Sequence, residues 1–184
     1  EGKELFKLST TNIGVLAFYP KGLIVDAQGN IYISDWTGTN PLDNPFVGTI
    51  YLFDSSGKLK KEFKDSLLTR PEELAFDSEG NLYIHNGLLK DISSSIIEQI
   101  LVYDKNLNYK SKVENKDFDS IKDIVIDNED FVYIVDGLNQ RVQVYDRNLN
   151  YISTIGGNAA GNDNNQLFHP IGIEVGDDGK VYIA

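Results

Sequence analysis

Few side chains in this sequence have chemistry to offer. Its 184 residues include two histidines and one tryptophan, and neither cysteine nor methionine. A metal or general-base role for His85 or His169 needs a carboxylate, or the other imidazole, brought close by the fold. Asp35, Asn86 and Asp136 close three matching runs, "NIYISD", "NLYIHN" and "FVYIVD". A ring of such oxygens would suit a hard cation such as Ca²⁺, which makes Asp136, with His85, a metal candidate. The same oxygens could instead accept backbone amides and cap the turns that follow. Trp36 shares a long loop with Asp43 and Phe46. It reads as an aromatic anchor for a partner or a sugar ring, or as packing of that loop on the neighbouring sheet. Asp91 and Asn139, in the corresponding loops, complete the candidate binding set.

Composition narrows the classes. Without cysteine there is no disulfide framework and no thiolate metal site. Lacking both sulfur residues fits an extracellular or periplasmic setting, although a short chain reaches that composition by chance as well. With 28 acidic and 17 basic residues the formal charge is −11, which disfavours nucleic acid as a partner. No apolar run approaches the roughly 20 residues of a membrane-spanning helix. "GNDNNQ" lacks the sixth-position Gly and final Glu of an EF-hand loop, and "GGNAAGN" has neither the lysine nor the following helix of a phosphate loop.

The elements that carry these residues repeat. "PKGLIVDAQGNIYISD", "PEELAFDSEGNLYIHN", "IKDIVIDNEDFVYIVD" and "PIGIEVGDDGKVYIA" place tyrosines at 32, 83, 133 and 182, a period of about 50 residues. In each copy an apolar triplet leads into a polar turn, with Gly29, Gly80 or Gly179 in three of them, and then into an alternating strand. Asp at the start of such a turn can accept an amide two residues on, and Gly accepts the positive φ that hairpin turns require. These are A–B hairpins. A second, C–D hairpin follows each of the first three: "TIYLFDSSGKLKKEF", "QILVYDKNLNYKSKV" and "RVQVYDRNLNYISTI". A four-stranded sheet with two apolar faces cannot bury both alone, and stacking such sheets about an axis does so. The fold class is all-β, a β-propeller of four-stranded antiparallel blades.

"DGLNQRVQVYD" followed by "TIGGNAAGNDNNQLFHPIGIEV" resembles the NHL repeat, with its Asp-x-x-Asn-x-Arg core and Gly-rich link to a Pro-x-Gly. The resemblance implies a six-bladed propeller and, for Arg141, pairing with a carboxylate of its own blade. Some propellers similar to this one are metal-dependent lactonases or lyases. That reading would need ligands at the axial ends of strands A and B, where Glu73, Glu174, His85 and Asp136 are available. The first reading is a non-catalytic module that recognises a protein or glycan through its enlarged B–C and D–A loops; the enzyme is the alternative.

The expected organisation is a D strand at residues 1–10, blades at 20–63, 71–113 and 121–155, and a partial blade at 170–184. That is an arc of about three and a half blades from a larger propeller. Its open blade faces call for the remaining blades or for self-association.

Overall fold

The computed structural model describes residues 7, 19–36, 48–88, 96–115, 117–157, 166–176 and 178–184. The D strand expected at residues 1–10 lies outside them, apart from Lys7. The described residues form strands and turns and contain no helix, hence none long and apolar enough to cross a membrane.

Fourteen strands make three four-stranded antiparallel sheets and one two-stranded sheet. The first sheet is β1 (Pro20–Val25), β2 (Ile31–Asp35), β3 (Thr49–Phe53) and β4 (Leu59–Phe63). The second is β5 (Pro71–Phe76), β6 (Leu82–Leu88), β7 (Ile97–Tyr103) and β8 (Tyr109–Glu114). The third is β9 (Ile121–Ile126), β10 (Val132–Asp136), β11 (Arg141–Tyr145) and β12 (Tyr151–Gly156); β13 (Ile173–Val175) and β14 (Val181–Ile183) form the hairpin. In each sheet the strands pair in chain order, as the repeat requires. The second B–C connection is shorter than the sequence indicated, because β6 runs on through Leu88 and β7 starts at Ile97.

The hairpin turns explain this regularity. Asp26, Asp77 and Asp127 open the A–B turns, and Asp54, Asp104 and Asp146 the C–D turns. Each carboxylate accepts the amides two and four residues on, at 2.8 to 3.1 Å. Each aspartate carbonyl accepts the amide three residues on. That third residue has positive φ throughout: Gly29, Gly57 and Gly80, but also Leu107 (66°), Asp130 (64°) and Leu149 (64°). A side chain in this left-handed region costs about 1–2 kcal/mol, and the flanking hydrogen bonds hold it there. Gly176 opens the fourth turn without a carboxylate, and Gly179 takes the positive φ.

The chain divides into two compact units, residues 1–72 with 86–95, and 73–85 with 96–184. In the first, Ile33, Tyr51 and Phe53 form a buried cluster joined by Ile31 and Leu59. In the second, Ala75, Tyr83, Ile100 and Val102 pack with Ile121, Ile124, Val132 and Ile134 of the next sheet. Val135, Val142 and Ile173 join the third sheet to the β13–β14 hairpin. Polar clamps reinforce these contacts. Ser78 donates from its amide and hydroxyl to Asp130, both at 2.8 Å. The Ile173 amide donates to Asp123 at 2.8 Å.

Candidate functional site

The connections B–C and D–A meet at the strand ends opposite the hairpin turns. What holds those ends is a set of buried oxygens on the B strands. The Tyr19 amide donates to Asp35 Oδ1 at 3.1 Å. Asn86 Oδ1 accepts the amides of Thr69 at 2.9 Å and Arg70 at 3.1 Å. Asp136 Oδ1 accepts the amide of Asp119 at 2.8 Å. Residues 19, 69, 70 and 119 belong to the D–A connections. Among the described residues the three oxygens therefore cap backbone amides of the connection leading into strand A. Geometry decides this: the residue before strand A lies beside the end of strand B, as the Pro20–Asp35 register shows. Asp35 and Asp136 close their strands; Asn86 is two residues inside β6.

Around Asp136 the network is densest. Its Oδ2 takes the Arg141 Nε–H at 2.7 Å, so Arg141 does pair with a carboxylate of its own blade. Asn139 Nδ2 donates to both Asp136 oxygens at 3.0 Å. With its amide oxygen toward Arg141, Gln143 accepts from Nη2 and donates to the Tyr145 hydroxyl, each at 2.6 Å. Asp136 is fully buried, and so isolated a charge needs this pairing.

Trp36 follows Asp35 directly. The Arg70 guanidinium lies 4.2 Å from its ring centroid and the Lys21 ammonium 5.2 Å, both cation–π distances. Arg70 Nη2 also donates to Glu72 at 3.2 Å. Trp36 Nε1 and Arg70 Nε are buried and have no hydrogen-bond partner among the described residues. An unsatisfied buried donor costs about 1–3 kcal/mol.

His85, 2% exposed, places Nε2 at 2.5 Å from Glu98 Oε2, and its buried Nδ1 has no partner among the described residues. His169 is exposed and meets the Phe168 ring edge-on at 4.8 Å. The two histidines thus have different neighbours. Among the described residues no group of three or more His, Asp or Glu is placed to hold a metal. Glu174 instead lines an open cavity of about 500 Å³ with Asp127, Glu129 and Asp178. Asp43, Phe46 and Asp91 lie outside the described residues.

Sequence reasoning missed Arg70, Glu98 and Asp123. Arg70 and Glu98 meet partners from distant or neighbouring strands whose slots differ in the other copies. Asp123 accepts the Ile124 amide at 2.8 Å as well as that of Ile173, and burial raises its pKa. Burial also lifts Tyr83 and Tyr133 to about 12, with Asp77 and Asp127 contributing in turn.

No protein-family model and no curated protein matches the sequence. Solved structures do. A protein of unknown function from Bacteroides caccae is similar with a TM-score of 0.64 at 11% identity, over 89% of this chain and 55% of its own. A gluconolactonase from Xanthomonas campestris is similar with a TM-score of 0.55 at 15% identity, over 90% of this chain and 53% of its own. A chain of a nidogen–laminin complex gives 0.54 at 16% identity, over 73% and 46%. The fold is a partial β-propeller. This chain spans about half the length of the structures it matches, and at such identities the likeness is one of fold.

Proposed function

We propose that this chain is part of an NHL-type propeller that binds a macromolecular partner through its B–C and D–A loop face, without catalysis. One observation supports the reading: Asp35, Asn86 and Asp136, the oxygens the sequence offered for a cation, each accept a backbone amide of a D–A connection. They rigidify the rim that presents the loops. Trp36 and the exposed Leu138, Phe168 and Ile171 lie on connections of that kind, where a rigid scaffold usually carries recognition. The Asp136–Asn139–Arg141–Gln143 network supports the NHL assignment within this proposal.

A second reading has one observation in its favour. Glu98 sits against Nε2 of the buried His85 imidazole, whose Nδ1 meets no partner among the described residues, an arrangement that a histidine base held by a carboxylate would use. Amide NMR separates the two. With panels of peptides and oligosaccharides, ligand-induced shifts are expected at residues 36, 138 and 168, and not at the Asp26, Asp77 and Asp127 turns. Lactone hydrolysis stimulated by a divalent cation and abolished by His85→Asn would overturn the binding reading.

A further inference from the structure

We propose that the Trp36–Arg70–Lys21 cluster is a receptor for side-chain carboxylates of an acidic peptide segment in a protein partner. This rests on the loop-face binding reading and names its ligand. The guanidinium of Arg70 lies 4.2 Å from the centroid of the indole ring, and the Lys21 ammonium 5.2 Å. A pyranose stacked on Trp36 would have to displace the guanidinium, so the ring is a poor sugar platform. What the cluster offers is N–H donors. Trp36 Nε1 and Arg70 Nε are buried and lack acceptors among the described residues, while Lys21 is exposed. The indole nitrogen is donor-only and guanidinium and ammonium groups never accept, so the complementary group must supply oxygens and negative charge. A carboxylate provides both, with two oxygens for separate donors.

Glu72 shows the chemistry at work in cis. Its carboxylate accepts from Arg70 Nη2 at 3.2 Å and leaves Arg70 Nε unmet. The Arg70 side chain keeps a fifth of its surface exposed, enough for it to be reached from solvent. In a chain whose formal charge is −11, two cations on one aromatic ring form a local exception to the overall field. Lys21 makes the first contact with an incoming carboxylate, and the exposed part of the Arg70 side chain offers the second. Acidic side chains elsewhere on such a surface repel an acidic segment, and the cluster attracts it.

The test uses the intact chain. Trp36 is its only tryptophan, so intrinsic fluorescence reports on this cluster alone. A poly-glutamate peptide should change the emission saturably, and poly-lysine and oligogalacturonate should not. Arg70→Gln should weaken the interaction about tenfold, and Lys21→Gln about threefold. Glu72→Gln removes the internal competitor and should tighten it about threefold. The gain with Glu72→Gln, and the loss with the exposed Lys21, keep the test decisive if Arg70→Gln perturbs folding. An unchanged emission with poly-glutamate, equal affinity in Lys21→Gln, or preferential binding of oligogalacturonate would each overturn the proposal. Should poly-glutamate fail while amide shifts from another ligand still map to residues 138 and 168, only the acidic-peptide assignment falls.

Discussion

The two ends of each sheet are built on opposite plans. At the hairpin end, six turns share one pattern: an aspartate, amides two and four residues on, and a positive φ at the third. At the loop end, matching slots solve one problem with different chemistry. Asp35 caps Tyr19; Asn86 caps two amides and donates to the Leu67 carbonyl at 3.1 Å; Asp136 adds an ion pair with Arg141. A turn closed within five residues sets its own geometry, even where Ser78 of one turn also clamps Asp130 of another, and so its pattern can be repeated. A clamp that reaches 16 to 19 residues along the chain must fit whatever connection it meets, and so it varies.

The largest test removes a clamp. Asp136→Ala removes one acceptor each from Arg141 and Asn139 and the carboxylate that caps the Asp119 amide, and should cost about 3 kcal/mol in urea denaturation. Asp104→Ala, at an exposed turn, should cost clearly less; equal losses would break the contrast. A smaller effect has the opposite sign. Leu107→Gly relieves a left-handed side chain and should stabilise by about 0.5–1 kcal/mol. Leu149→Gly should gain less, because Leu149 packs against the core of the second unit. The smallest effect appears in the pH profile. Hydrogen bonds from Ser56, Asn108 and Asn150 hold Asp54, Asp104 and Asp146 below 3.8. Their contribution is present above that value and lost as pH falls through the lowered ones. Asp123, raised by burial, contributes in the reverse sense: below 3.8, with loss as pH rises through its folded value. Melting temperatures between about pH 3 and pH 6 should flatten at the acid side in Asp104→Asn and lose the Asp123 component in Asp123→Asn.

What could be read from the sequence follows the same division. The tyrosines at 32, 83, 133 and 182 announced strand B every time, since a repeated slot is visible without coordinates. Their surroundings were not visible: Tyr83 is 2% exposed and Tyr182 57%, and burial belongs to the neighbouring sheet, not to the residue. Gly29, Gly80 and Gly179 marked their turns, whereas Leu107 and Leu149 reach the same φ without the usual signal. Asp123 escaped notice because its slot holds Gly22, Glu73 and Gly172 in the other copies. His85 drew attention as a rare residue; Glu98 did not, and the stacking of Arg70 on Trp36 joins residues 34 positions apart with no local signature.

A turn that closes within five residues also bears on ancestry. When a gene segment encoding one such hairpin is duplicated, the copy arrives with its strand register already fixed. Lengthening by whole blades then requires no rescue mutation at the turns, and divergence can concentrate on the opposite rim.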